Sequence, residues 1–348
     1  MLNLACAFAG QGHDVDLVLM QAEGPYLAQV PPSIRVVDLG ARRLLSGIPA
    51  AIAYLRQVRP AALISVSNSD LNVVAVLARL LAGVSTRLVL NVQTNLSQEF
   101  QKLSRGKVKR KLTPQLVRWF FPWADAIVPV SAGVAEDLVS AFGLPKERIQ
   151  VIHNPIVTSA LLERSTRPVD HPWFAPGEPP VVLGVGRLTQ QKDFPTLIRA
   201  FALVKQSCPA RLVILGEGEE RPHLEALVRE LGVGEDVALP GFADNPYAYM
   251  AGASAFVLSS VWEGLPTVLV EAMAVGTPVV STDCPSGPIE ILENGQYGPL
   301  VASGDVRGLA DAIVNTLDRP PDTEMLRGRA AEFSAEASAV QYLNVLGL

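Results

Sequence analysis

Two segments in the second half of the chain combine charged side chains with glycines that let a backbone approach a ligand closely. The first is Glu263-Gly264-Leu265-Pro266-Thr267, which runs on through Val268, Leu269 and Val270 to Glu271. Pro266 suits the first turn of a helix, where a missing N–H costs nothing, and Gly276 suits its end. A helix start presents free N–H groups and the positive end of the dipole, which favour a phosphate or the charge developing on one. The two glutamates are eight residues apart, at most about 12 Å along a helix. In a long ligand, one could meet a sugar and the other a ribose. Taken alone, that spacing favours a plainer reading, with Glu263 capping the helix and Glu271 solvated.

The second segment is Gly184-Val185-Gly186-Arg187-Leu188-Thr189-Gln190-Gln191-Lys192-Asp193. Arg187 as a planar fork and Lys192 as a point charge could together neutralise a diphosphate. It is not a dinucleotide fingerprint. Thr189 stands where the third glycine belongs, and Lys205 and Gln206 stand about 20 positions on, where an acidic residue belongs. Gly216-Glu217-Gly218-Glu219-Glu220 and Gly241-Phe242 also follow apolar runs. They mark loops at strand carboxyl ends, where open α/β sheets bind ligands, although glycines there are equally plain turn formers.

The elements that position these residues read as alternating strands and helices. Strand-length apolar runs fall at 15–20, 35–39, 61–66, 87–92, 126–130 and 149–152, then at 181–185, 211–215, 237–239, 255–258, 278–281 and 298–301. Helical stretches such as 71–81 and 194–206 separate them. This alternation predicts parallel sheets covered on both faces, as two doubly wound α/β domains. The stretch 164–180 carries Pro168, Pro172, Pro176, Pro179 and Pro180 with Gly177 and reads as a linker. The expected domains are therefore 1–165 and 166–348, the latter ending in a terminal helix over 330–348. The chain opens on a helix, so the first strand of the first domain is missing from the pattern. The expectation is an upstream extension with a strand and a Gly-rich turn.

Composition excludes several classes. The net charge of −5 argues against general nucleic-acid binding. Cys6, Cys208 and Cys284 are far apart, as are His13, His153, His171 and His223, so neither a disulfide framework nor a zinc site is supported. No apolar run approaches the ~18 residues of a membrane span, and the apolar start lacks a basic leader region. A cytoplasmic protein is expected.

Taken together, the segments resemble the retaining GT-B glycosyltransferases of family 4, also called glycosyl transferases group 1. The resemblance rests on Gly186-Arg187-Leu188 with Gln191-Lys192, Gly216-Glu217-Gly218, Pro240-Gly241-Phe242, the Glu263-to-Glu271 motif with Gly276-Thr277-Pro278, and Ser281 through Pro288, in that order. Gly12-His13-Asp14, Ala124-Asp125-Ala126, Val130-Ser131-Ala132-Gly133 and Ile152-His153-Asn154-Pro155 match more loosely. The resemblance is greatest to bacterial members that build lipopolysaccharide, O-antigen or capsule. It implies a GT-B architecture, two Rossmann-like domains facing a cleft, with acceptor in the first and donor nucleotide in the second. It implies a transfer of hexose or N-acetylhexosamine from a nucleotide-diphosphate sugar, UDP-linked by preference, to a glycan or lipid-linked glycan. No metal or other cofactor is implied. By resemblance, Arg187 and Lys192 would hold the diphosphate and Glu263 would sit at the donor sugar as the third catalytic residue. Glu271 would bind the ribose, and Gly264, Leu265, Pro266 and Thr267 would meet the sugar and phosphate. Gly186, Gly216, Glu217, Gly241 and Phe242 would complete the donor site. Gln93 stands where relatives often carry a histidine, so no catalytic base is named in the first domain.

One stretch points to a different contact. Residues 102–123 hold seven basic residues, Lys102, Arg105, Lys107, Lys109, Arg110, Lys111 and Arg118, and no acidic one. With Trp119, Phe120, Phe121 and Trp123 they could dock peripherally on the inner face of an anionic membrane. The plainer alternative packs the aromatics in the core. Fold alone does not dictate activity. A non-catalytic nucleotide-sugar-binding partner subunit, or an epimerase or phosphorylase on the same architecture, stands as the alternative.

Overall fold

The computed structural model describes residues 1–24, 27–67, 69–102 and 107–348, with the side chains of 101–112 outside the description. The chain forms two compact units, Met1–Pro155 with Ala335–Leu348, and Ile156–Ser334.

The second unit is built on one parallel sheet of six strands: β6 Val181–Val185, β7 Arg211–Leu215, β8 Val237–Gly241, β9 Ala255–Leu258, β10 Val279–Thr282 and β11 Leu300–Val301. The spatial order is β11-β10-β9-β6-β7-β8. The central strands are β-branched, aliphatic and buried on both faces, as a sheet covered by helices on each side requires. Helix Phe194–Ser207 sets Leu197, Ile198 and Phe201 against Val182, Leu212 and Ile214, with Leu309 and Ile313 of helix Val306–Asp318 in the same cluster. The order reverses at β6, because the chain fills one side through β7 and β8 and then the other through β9 to β11. The loops after β6 and β9 thus leave the sheet at its switch point, where open α/β sheets take ligands.

The first unit carries β1 Val15–Leu19, β2 Ile34–Asp38, β3 Ala62–Val66, β4 Arg87–Val92 and β5 Ala126–Pro129. All pairings are parallel, but they form two sheets, β1-β2 and β3-β4-β5. A strand over 149–152 is expected from the sequence, yet only Ile149 bridges Ile127. Gln150 and Ile152 donate to Ile127 and Pro129, at 3.0 and 3.2 Å. Pro129 has no N–H with which to return a bond, so the ladder stops there.

The structure redraws the expected domains. The stretch 164–180 is not a free linker but a strap on the second unit. The Arg211 guanidinium lies 4.9 Å from the Trp173 ring centre, and Phe174 packs edge-on to Tyr249 at 5.3 Å. The expected terminal helix is present as Ala335–Leu346, after a separate helix Thr323–Ala331, but it belongs to the first unit and not to the second. Its Ala339, Tyr342, Val345 and Leu346 complete a core with Leu4, Phe8 and Val89. The buried Asn91 amide donates to the Tyr342 hydroxyl at 2.7 Å, and Arg87 donates to the Val345 carbonyl at 2.6 Å.

Candidate active site

The loop after β6 is stitched to the loop after β7. Gly186 N–H donates to Leu215 (3.0 Å), Leu188 N–H to Glu217 (2.9 Å) and Glu220 N–H to Leu188 (3.0 Å), with the Leu188 side chain fully buried. A Cβ on Gly216, whose φ is +139°, would overlap the Gly186 carbonyl, and one on Gly218 would overlap the Leu188 backbone. These glycines are explained by loop lying on loop. Gly186 itself lies under the stem of Lys192, whose Cε would sit 3.1 Å from an added Cβ. Asp193 then turns through the left-handed region at φ +45° and accepts from the Thr196 hydroxyl at 2.7 Å as helix Phe194–Ser207 begins.

The loop after β9 meets this one from the other side of the switch point. Ser259 donates its hydroxyl to the Lys192 carbonyl at 2.7 Å. Val261 N–H donates to Gln191 at 2.9 Å, and the Gln191 amide donates to Trp262 at 3.0 Å. These bonds bring Lys192 to Glu263, 71 positions away in sequence: Lys192 Nζ lies 2.6 Å from Glu263 Oε1. Ser260 donates to the same oxygen at 2.6 Å. Glu263 is only 6% exposed. Beside it, burial first and the Glu263 charge second push the Cys284 thiol up to about 12, so it is a packing residue and not a nucleophile.

Helix Thr267–Ala274 begins next, with Pro266 at its N-cap and no side-chain cap. Glu263 therefore does not cap the helix, contrary to the plainer reading. Glu271 is not freely solvated either. Burial pushes its carboxyl up to about 7, against the opposing pull of the Thr267 hydroxyl and the Lys192 charge. The start of this helix is pressed by Gly287, at φ +90°, where a Cβ would sit 2.5 Å from Pro266 Cδ and 2.9 Å from the Gly264 carbonyl. Arg329 fixes that loop from behind. It is 8% exposed and donates to the carbonyls of Ile291 and Glu290 at 3.0 and 2.7 Å.

The remaining expected residues divide. Arg187 is exposed, and its guanidinium makes no hydrogen bond or ion pair with the described residues. Lys192 is not a second free cation, because Glu263 already holds it. Glu217 is paired with Arg221 at 2.8 Å, and Arg221 also reaches Glu225 and the Leu239 carbonyl. Gly241, at φ +93°, lies beside that carboxylate. Phe242 is 68% exposed. In the first unit, Gln93 exchanges amide bonds with Asn154 at 2.9 and 3.2 Å and donates to Asn91. Among the described residues no three of His, Cys, Asp and Glu group as metal ligands. The side chains of Lys102, Arg105, Lys107, Lys109, Arg110 and Lys111 lie outside the described residues. Of the aromatics nearby, Phe121 is in the core, while Trp119 and Trp123 are 65% and 60% exposed.

Two α/β units, one with its cationic and carboxylate groups at the switch point of a parallel sheet, are the frame of a GT-B glycosyltransferase. The family model described as Glycosyltransferase Family 4 matches residues 1–160, and that described as Glycosyl transferases group 1 matches 179–319. The chain belongs to this family. It is 36% identical over 247 residues to the N-acetylgalactosamine-N,N'-diacetylbacillosaminyl-diphospho-undecaprenol 4-alpha-N-acetylgalactosaminyltransferase of Campylobacter jejuni, covering 71% of this chain and 64% of that one. It is 36% identical over 236 residues to the lipopolysaccharide core biosynthesis glycosyltransferase LpsE of Rhizobium meliloti, covering 65% of each. The chain thus matches just under two thirds of the length of these relatives. Anabaena Alr3699/HepE, solved in complex with UDP and glucose, superposes with a TM-score of 0.76 at 20% identity, over 99% of this chain and 95% of that one. The lipopolysaccharide outer core galactosyltransferase WaaB superposes at 0.72 and 20% identity, over 99% and 94%.

Proposed function

We propose that the chain transfers a hexose or N-acetylhexosamine from a nucleotide-diphosphate sugar to a glycan or lipid-linked glycan, in the synthesis of a cell-surface polysaccharide. The observation that carries this reading is the Lys192–Glu263 pair at the switch point, with Arg187, unpaired among the described residues, on the same loop as Lys192. A departing diphosphate needs cations where its charge develops, and fixed donors there lower the barrier. Arg187 meets the diphosphate from solvent. Lys192 divides its charge between the diphosphate and Glu263, so no metal ion is needed. Glu263 accepts from a hydroxyl of the donor sugar, and Glu271 from the ribose. The first turn of helix Thr267–Ala274, with Gly264, Leu265 and Pro266 before it, faces the sugar and phosphate. Gly241 and Phe242 line the base pocket, an exposed ring being suited to stacking. The acceptor belongs to the first unit, residues 1–155 with the final helix, and the donor to the second.

The bond from C1 to the leaving phosphate breaks, the acceptor oxygen takes its place, and the acceptor proton passes to the departing phosphate. As in the retaining glycosyltransferases that the motifs resemble, attack comes on the face the diphosphate leaves, and the anomeric configuration is retained. The preference for UDP is supported by the UDP named in the HepE structure. The undecaprenol named in the Campylobacter relative supports a lipid-linked acceptor. Such an acceptor gives the basic stretch 102–123 a use, docking on the inner face of an anionic membrane through its cations and the exposed Trp119 and Trp123. Among the described residues no helix is long and apolar enough to cross a membrane.

The test is turnover. With a nucleotide sugar and a lipid-linked glycan, the expected products are free nucleoside diphosphate and an extended glycan in equal amounts. Turnover of the nucleotide sugar with no acceptor would indicate an epimerase. Release of a sugar phosphate that depends on inorganic phosphate would indicate a phosphorylase. Binding without turnover would leave a partner subunit.

A further inference from the structure

Glu263 carries two oxygens, and two side-chain donors converge on one of them. Oε1 accepts from both Lys192 Nζ and Ser260 Oγ, each at 2.6 Å. A carboxylate has about four acceptor positions, so Glu263 keeps capacity for a further donor beyond these two. Ser260 is itself fully buried, and its carbonyl is held by the Thr282 hydroxyl at 2.6 Å. Ser259, next to it, holds the Lys192 carbonyl at 2.7 Å. Two adjacent serines at the end of β9 thus fix the two partners of the ion pair.

We propose that Ser260 is a positioning residue for Glu263, keeping the carboxylate in place through Oε1 so that Oε2 is the oxygen that receives a donor-sugar hydroxyl. The proposal rests on the donor-site reading above. Its physical content is a division of labour. A diphosphate attracts the Lys192 ammonium and weakens its hold on Glu263. A neutral hydroxyl is not drawn away by the phosphate, so Ser260 stays on Oε1 while Lys192 moves its charge. Alanine at 260 leaves Oε1 without its neutral donor at that moment, and the carboxylate is freer to turn.

The test compares Ser260→Ala with the unaltered chain by calorimetric titration against UDP and GDP, and against UDP-glucose, UDP-N-acetylglucosamine and GDP-mannose. Ser260→Cys is the second variant, keeping the shape with a weak donor should alanine not fold. The expected result is free-nucleotide affinity within about twofold of the unaltered chain and nucleotide-sugar affinity lower by on the order of tenfold, as for a lost hydrogen bond to a charged group. In a Glu263→Gln background, Ser260→Ala should add nothing further. Equal weakening of nucleotide and nucleotide sugar, or no change in either, would overturn the proposal and leave the donor site standing. Binding of a nucleotide but of no nucleotide sugar by the unaltered chain would remove the sugar subsite and the proposal with it. Binding of none of the probes by the unaltered chain would instead strike at the donor-site reading itself.

Discussion

Replacing Lys192 with methionine keeps the stem that lies over Gly186 and removes the charge 2.6 Å from Glu263 Oε1. The side chains of the pair are only 15% and 8% exposed, so water screens little of what is lost. Removing one partner of a buried pair costs ~3–5 kcal/mol, because the other charge stays buried. Ser260 still donates to Oε1, which places the cost near the lower end, about 3 kcal/mol. For a unit of this size that is a drop in melting midpoint of roughly 6–12 °C. Glu263→Gln in the same chain removes the stranded charge. The double variant is therefore expected to recover about 2 kcal/mol, a coupling that independent sites do not show. Donor affinity should fall as well, by roughly 10–100-fold in Lys192→Met, since one charge-assisted bond to the diphosphate is gone. The assays are urea and thermal unfolding, with hydrogen exchange read in β6 and β9, and calorimetric titration with nucleotide. A loss below about 1 kcal/mol with additive effects in the double variant would refute the buried pair. Unchanged nucleotide affinity would take Lys192 out of the site.

Three further outcomes follow from the same structure. Burial holds the Glu271 carboxyl up to about 7, above its ordinary 4.5, so its ionisation costs the fold stability between those values as pH rises. Glu271→Gln should therefore raise the melting midpoint more at about pH 8 than at about pH 5. Nucleotide affinity, if the ionised carboxylate accepts from ribose, should climb through neutral pH in the unaltered chain and stay flat in the variant. Gly216→Ala forces a Cβ into the Gly186 carbonyl at φ +139° and should cost more than about 2 kcal/mol. Gly232→Ala, at φ +68° with open space around it, should cost only about 1 kcal/mol, which unfolding midpoints can separate. Reversing the charges of Lys107, Lys109, Arg110 and Lys111 should abolish co-sedimentation with anionic vesicles. Unchanged sedimentation would count against membrane docking by this stretch.

The second unit was the most legible part. Its strands are mostly runs of β-branched or aliphatic residues bounded by turn formers, the composition that buried parallel strands favour. The motif loops follow β6, β7, β8 and β9, so they sit at carboxyl ends in the structure as the order of runs and loops predicts. What the sequence hid depends on partners far along the chain. The last helix shows an apolar face of Ala339, Tyr342 and Val345, but nothing local says which core it enters. Proline-rich 164–180 looks like a linker until Trp173 and Phe174 find Arg211 and Tyr249. Arg187 and Lys192 look like twin cations on one loop. Only the fold brings Glu263 to Lys192 and leaves Arg187 without a partner among the described residues, and the signal that could have found it was the pair of serines, Ser259 and Ser260, just before the acidic motif.

The donor site stands or falls on nucleotide binding. Calorimetric titration of the purified chain with UDP, GDP and ADP, in the absence of metal, is expected to show micromolar binding of one of them, UDP first. Binding should weaken when Arg187 is replaced by alanine. A folded chain that takes up none of the three would contradict a nucleotide-sugar site between the β6 and β9 loops.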